Sequence, residues 1–368
     1  MRRFLTAGES HGPSLTGIFE GMPAGLTLDE DRINRDLQRR QGGYGRSGRQ
    51  VIEKDRVVWL GGVENGLTTG APLALSIENR DYANQQKREK PVLTVPRPGH
   101  ADLAGATKYR LGDLRTVLER ASARETAMRV AVGAVAKLLL GEFGMTVTSQ
   151  VLQIGDVSGD AADLALPGMR DRIEQSEVRV ADIDTERSMI KRIDRARRER
   201  DTLGGIFEVV VLGVPVGLGS YVQWDRKLDG RLAHAVMSIQ AIKGVEIGNG
   251  FENARTPGTQ AHDAIVPGED GPRRASNRAG GLEGGVTNGE PLVIRAAMKP
   301  ISTTLTPMQS IDVRTGEAAQ AIYQRSDICA VPAASVVGEA MVAFVVADAF
   351  LEKYGGDSIL ELRERVAP

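Results

Sequence analysis

Two short patterns recur in this chain, and their repetition narrows the available folds more than any other feature. Residues 17–26, GIFEGMPAGL, resemble 205–218, GIFEVVVLGVPVGL, and both end in Gly-x-Pro-x-Gly-Leu. Further on, GLTTGAPL at 66–73 matches GVTNGEPL at 285–292. Apolar runs of strand character flank each pattern and helical periodicity lies between them. The chain therefore reads as a duplicated unit of strand, Gly-Pro turn, helix, Gly-Thr turn and strand. Two such units imply a single α+β body with internal pseudo-twofold symmetry, in halves of roughly 1–140 and 200–368, with a site where the halves meet. Between them runs DTERSMIKRIDRARRERD (184–201), a charged helical segment whose composition marks it as a solvated arm or lid.

Two more helices are legible. Residues 27–40 are acidic at the start and basic at the end, as the helix dipole prefers. SARE at 122–125 spells a capping box, with Ser122 as N-cap and Glu125 at N3, ahead of the apolar run TAMRVAVGAVAKLLL. Aromatic residues make up only 4% of the chain, so the core is built from Leu, Val, Ile and Ala. The single cysteine, Cys329, excludes an intramolecular disulfide and multi-cysteine metal sites, and no metal is expected. A net charge of −1 gives no global field toward nucleic acid or an anionic membrane, so neither is expected as a partner. The start, MRRFLTAGESHG, lacks the apolar stretch of a signal peptide. Lys137, Glu339 and Asp348 interrupt the most apolar runs before the roughly 20 residues of a membrane span. A cytoplasmic enzyme is expected.

Candidate chemistry gathers in turns. His11 in GESHG and His100 in RPGHAD are two of only four histidines, each flanked by glycine, and they are the acid–base candidates. His234 and His262 are assigned to structure. RRQGGYGRSGRQ delivers Arg39, Arg40, Arg46 and Arg49 on a flexible loop, and the planar guanidinium fork suits carboxylate and phosphate. Gly43, Gly45 and Gly48 formally spell a dinucleotide fingerprint, but a charged helix precedes them where a strand is required, so that reading is rejected. Arg120 and Arg124 bracket the capped helix start, where free N–H groups make an anion site. Lys299, Ser302 and Thr303 lie in the Pro-fixed loop MKPISTTLTP, and Arg325 and Asp327 add a cation and a candidate base. These groups point to an enzyme for a small substrate bearing phosphate and carboxylates.

In order along residues 8 to about 335, GESHG, RRQGGYGR, RPGHAD, RASARETAMR, SIQAIKGVEIGNGF and QRSDICAVPAA together resemble the chorismate synthase family, in its monofunctional bacterial type. The resemblance implies a β-α-β sandwich with internal duplication, usually a homotetramer. It implies conversion of 5-enolpyruvylshikimate 3-phosphate to chorismate and phosphate by 1,4-anti elimination, the last shikimate-pathway step. Reduced FMN is required although there is no net redox change. An external flavin reductase or other source supplies it, with NADPH as an indirect reductant. By this likeness His11 matches the histidine near the leaving phosphate, His100 the one near the flavin N1 region, and Asp327 the carboxylate near flavin N5. Ser10, Arg40, Arg46, Arg49, Arg124 and Arg325 match substrate-holding positions, Arg40 and Arg46 being those also marked for NADP. The FMN positions correspond to Arg120, Ala121, Ser122, Gln240, Ala241, Gly284, Lys299, Pro300, Ile301, Ser302, Thr303 and Arg325. Ser326 and Gln240 depart from the residues, His and Asn, that many relatives carry there.

Overall fold

The computed structural model describes residues 2–48, 52–87, 91–269, 271–321 and 326–366. In chain order the strands are β1 (Arg3–Ala7), β2 (Ser14–Glu20), β3 (Val58–Gly61), β4 (Val63–Glu64), β5 (Leu67–Thr68), β6 (Leu73–Glu78), β7 (Thr146–Ile154), β8 (Val157–Ser158), β9 (Gly205–Leu212) and β10 (Ile242–Ile247). They continue with β11 (Ile265–Val266), β12 (Arg273–Arg274), β13 (Leu282–Glu283), β14 (Val286–Thr287), β15 (Leu292–Met298), β16 (Gln309–Ile311) and β17 (Ala318–Gln320). The five helices that matter here are α1 (Glu30–Gln41), α2 (Thr126–Glu142), α3 (Ile183–Arg198), α4 (Leu228–Met237) and α5 (Val331–Tyr354).

One antiparallel sheet has the order β1-β2-β6-β3 and the other β10-β15-β9-β7-β8. Helices α1, α2, α4 and α5 fill the layer between them, giving the expected α+β sandwich with helices inside. Position in that layer explains composition. α2 and α5 are apolar almost all round because they are covered on every side, whereas strands alternate, as in β2, where Leu15 and Phe19 face inward. At one point α2 and α5 touch backbone to backbone. A Cβ on Gly133 would fall 2.3 Å from the Ala340 Cβ, so only glycine fits there.

The duplication is visible as topology. Read outward, β7-β9-β15-β10 repeats β1-β2-β6-β3, and in both halves a two-residue hairpin precedes the third strand of the order. The side-chain bonds repeat as well. Thr68 Oγ1 donates to Pro23 O at 2.6 Å and accepts from Leu26 N at 2.9 Å. Thr287 Oγ1 donates to Pro215 O at 2.7 Å and accepts from Leu218 N at 2.8 Å. The Gly-Pro turns that face these threonines need left-handed backbone at Gly25 (φ 84°) and Gly217 (φ 92°). Superposing the turns sets residues 17–20 against 209–212, so the GIFE at 205–208 lies four residues out of register with its apparent twin.

Several expectations change. β7 is the first strand of the second sheet and pairs with β9, so that sheet starts near residue 146, not 200. The charged helix consequently lies between two strands of one sheet and does not link the halves. Nor is it a solvated arm. Met189, Ile193 and Ala196 of α3 are fully buried at helical spacing, and the charges occupy the other face. The capping box is also incomplete. Ser122 caps a short 3₁₀ turn through Arg124 N at 3.3 Å, but Glu125 turns away to Thr6 Oγ1 (2.7 Å) and Arg129 Nε (2.9 Å). A cation and a cross-element hydroxyl outcompete the local amide. Finally, the interrupted run 331–354 forms one 24-residue helix, long enough by length and composition to span a bilayer, yet nearly all of it is buried inside the fold.

Charge inside that helix is compensated. Glu339, fully buried on α5, accepts from Arg39 Nη2 (2.7 Å) and Nη1 (2.8 Å), Ser149 Oγ (2.6 Å) and Arg179 Nη2 (3.2 Å), and contacts Lys137. Burial alone would raise its pKa; Arg39 and Lys137 prevail and hold it well below the usual carboxylate range.

Candidate active site

The N-terminal ends of α2 and α5, pseudo-equivalent in the duplication, open onto one cavity of about 880 Å³. Ala123, Arg124 and Thr126 line it from one helix start, Asp327, Ala330 and Ala333 from the other. Two helix dipoles thus present their positive ends to the same space, which favours an anion.

The β1–β2 connection carries Ser10 and His11 to its wall. Asn79 pins this loop through Glu9 O (3.1 Å) and Gly12 O (2.8 Å), and Ser10 N donates to Glu119 O at 3.1 Å. The Glu119 carboxylate grips the histidine twice. It accepts from His11 N at 2.7 Å, and its two oxygens lie 2.8 and 3.0 Å from Nδ1. His100 is held by the same device. Its Nδ1 is 2.6 Å from Asp102 Oδ1, while Arg97 Nε and Nη2 take the two Asp102 oxygens at 2.8 and 3.0 Å. Burial pushes the Asp102 carboxyl upward, but the bonds from His100 and Arg97 overcome it and hold it below the ordinary carboxylate range. Lys299 Nζ (2.9 Å) and Ser302 Oγ (3.0 Å) both donate to Gly99 O, so the second half fastens the loop that carries His100.

Arginines supply the charge. Arg40, 4% exposed, uses Nε on Thr126 Oγ1 (2.9 Å) and Nη2 on Ala123 O (3.1 Å), and its Nη1 donates no hydrogen bond. Burial first, then repulsion from Arg124 and Arg46, pushes this guanidinium down to about 9 against the pull of Asp55. Arg46 Nε likewise donates no hydrogen bond, while Arg46 Nη1 meets Asp327 Oδ2 at 2.7 Å. Asp327 Oδ1 accepts from Ser47 N, also at 2.7 Å. The Arg46 loop keeps its shape because Tyr44 Oη donates to Asp194 of α3 at 2.9 Å and Gly45 O accepts from Ile328 N at 2.8 Å. Arg124 lines the cavity too, but its donors are engaged by Asp55 (2.7 Å to both oxygens), Asn79 (2.8 Å) and Glu78 O (3.3 Å).

Ala121, Ser122, Gln240, Ala241, Ile301, Ser302 and Thr303 also face the cavity. Gln240 Oε1 is buried and accepts no hydrogen bond. Ala241 holds a left-handed φ of 67°, unusual for a residue with a Cβ, and its carbonyl accepts from Lys299 N at 2.9 Å. Burial, then repulsion from Lys243, lowers the Lys299 pKa. Pro300 does not line the cavity. Arg120 donates to Thr6 O and Oγ1 (2.8 Å each) in an adjoining recess. Gly284 forms, with Gly285, the tight turn between β13 and β14, where φ values of 61° and 89° call for glycine, and it faces Tyr221. Arg49 and Arg325 lie outside the described residues. His234 and His262 are exposed and line no part of the cavity. Among the described residues no His, Cys, Asp and Glu cluster could hold a metal.

Charged cavity residues that were not anticipated include Glu53, Asp81, Arg97, Arg115 and Glu119. Arg97 could have been found, since it begins the RPGHAD motif. Glu119 is 108 positions from His11 and gives no local signal.

Comparison with known proteins gives the family. A family model described as chorismate synthase matches residues 2–351. The chorismate synthase of Syntrophotalea carbinolica is 57% identical over 99% of this chain and 96% of its own length, and that of Geobacter metallireducens 55% over 99% and 97%. A solved structure titled "Crystal Structure of Chorismate Synthase" superposes with a TM-score of 0.81 at 47% identity, covering 99% of this chain and 96% of that one.

Proposed function

This chain belongs to the chorismate synthase family, and on that premise we propose that it eliminates phosphate from 5-enolpyruvylshikimate 3-phosphate to give chorismate, with reduced FMN as the cofactor. The observation that carries the reading is the cavity itself. Two helix N-termini and the unsatisfied donors of Arg40 and Arg46 want an anion, and two histidines clamped by carboxylates stand beside it. Three negatively charged groups on the substrate supply what the guanidinium cluster lacks.

His11 gives a proton to the departing phosphate, and Ser10 contacts the substrate beside it. Arg40 and Arg46 hold its anionic groups, Arg49 and Arg325 being assigned with them. Arg124 acts one step removed, by fixing Asp55 beneath Arg40 (3.5 Å). Asp327, aimed by Arg46 and Ser47, relays the proton lost from carbon. His100, aligned by Asp102, is assigned to the flavin N1 region.

The residues present fit a flavin. The volume lies toward the upper end of the roughly 300–1,000 Å³ usual for small-molecule and cofactor sites. Gln240 Oε1 is an unfilled buried acceptor suited to a ring imide N–H, and Lys299 and Thr303 offer donors for its polar chain beside Ser122 and Ser302. Reduced FMN, when bound, supplies electron density to the allylic system as phosphate leaves. NADPH is assigned an indirect part, reducing FMN through an external flavin reductase. Leu5, Ile18, Val58 and Leu60 are exposed on strands of the first sheet, an apolar surface consistent with a homotetramer.

An anaerobic assay with dithionite-reduced FMN, following phosphate release and chorismate absorbance, tests the reading. Chorismate should form over many turnovers with no consumption of reduced flavin. Stoichiometric flavin oxidation, or no chorismate, overturns it.

A further inference from the structure

We infer that Glu119 is the positioning residue that makes His11 a proton donor, by holding Nδ1–H and so assigning proton exchange with the leaving phosphate to Nε2. This rests on the elimination proposed above. Glu119 directly precedes RASARETAMR without belonging to the expected site, yet it grips the reacting loop at three points. Both carboxylate oxygens are within 3.0 Å of Nδ1, one also takes the His11 amide at 2.7 Å, and its backbone carbonyl takes Ser10 N at 3.1 Å. The side chain is only 12% exposed, so solvent weakens the pair little. With Nδ1 held by a carboxylate, its proton stays there, and the nitrogen able to give a proton to an oxyanion is Nε2. After transfer the ring is neutral with its remaining proton on Nδ1, still bonded to Glu119. The proton moves from Nε2 to a phosphate oxygen as the C–O bond breaks with its electron pair leaving on that oxygen. Charge balances without another reactant.

A Glu119→Gln variant keeps an acceptor for both N–H groups and loses the charge. A donor must be protonated to act, so activity falls on the alkaline limb of the kcat–pH profile. That limb should move to lower pH by about one unit or more, with kcat at pH 8 down roughly tenfold or more. A fall in kcat with the limb unmoved makes Glu119 merely structural and overturns the inference, as does an unchanged enzyme. Should the variant not fold, nitrogen-15 NMR of histidine in the native protein decides. The neutral His11 ring should carry its proton on Nδ1, and an Nε2–H tautomer refutes the assignment. Native protein that makes no chorismate would sink the proposed function while leaving the NMR result intact.

Discussion

Replacing Asp327 by asparagine tests the most specific contact in the cavity. Its two oxygens receive Ser47 N and Arg46 Nη1, each at 2.7 Å. An amide has one oxygen. If that oxygen keeps Ser47 N–H, the new NH₂ faces the Arg46 guanidinium, donor against donor. A hydrogen bond to a charged partner contributes about 1.5–3 kcal/mol. Since each ~1.4 kcal/mol is tenfold, losing the contact accounts for a change of roughly 10- to 150-fold in kcat/KM. Where that change falls identifies the role. A carboxylate that only aims Arg46 raises KM for the enolpyruvyl substrate and spares kcat. A carboxylate that also moves a proton lowers kcat by about a further 10²- to 10⁴-fold. Steady-state kinetics at saturating dithionite-reduced FMN separate the two, with flavin affinity measured independently. The Arg46→Ala, Asp327→Asn double variant should be far less impaired than the product of the singles, because the pair acts through one contact. If kcat and KM of Asp327→Asn both stay within about twofold of native, the proton-relay and clamp roles both fail.

His11→Ala should bind FMN normally and lose about 10²- to 10⁴-fold in turnover; retained turnover removes His11 from the chemistry. Glu339→Gln should cost up to about 3–5 kcal/mol, read from the denaturant midpoint, because Arg39, Lys137 and Arg179 lose the fully buried carboxylate they share and keep only the less buried Asp36 and Glu174. The same residue sets an acid limit. The folded pKa values of Glu339 and Asp36 are depressed, so their contribution is complete above the ordinary carboxylate range and drains away as pH falls toward the folded values. Melting temperature should therefore drop more steeply with acid in the native protein than in Glu339→Gln, and parallel curves would refute this. Gly133→Ala should cost at least about 1–3 kcal/mol by forcing α2 and α5 apart; an unmoved midpoint would show that the helices yield freely.

Much of this was legible in the sequence, for identifiable reasons. The repeats showed because Gly25 and Gly217 occupy backbone conformations that strongly favour glycine, and Thr68 and Thr287 fasten them identically. The site showed because its histidines and arginines sit in short, glycine-bounded loops. What was hidden depended on distance or on competition. Nothing local tells Glu125 to abandon a capping box for Thr6 and Arg129, or Arg124 to spend its donors on Asp55 and Asn79. The Glu119–His11 contact closes across 108 residues. The buried face of α3 was readable at positions 189, 193 and 196, but the density of charge around those residues masked the pattern. The true start of the second half was masked by β7, whose pairing with β9 spans an insertion of some fifty residues.

The convergence of two equivalent helix starts on one cavity bears on how such a site could arise. Two separate copies of the repeated unit, joined as a symmetric pair, would present identical turns to a ligand whose two ends differ, phosphate at one and a C–H bond at the other. Covalent fusion releases that constraint. One turn now reads Arg120-Ala-Ser-Ala-Arg-Glu and the other Ser326-Asp-Ile-Cys-Ala, so hydroxyl and backbone donors face the cavity from one side and a carboxylate from the other. The fold remains nearly symmetric while its chemistry has a direction, and each helix start can be altered without forcing the same change on its twin.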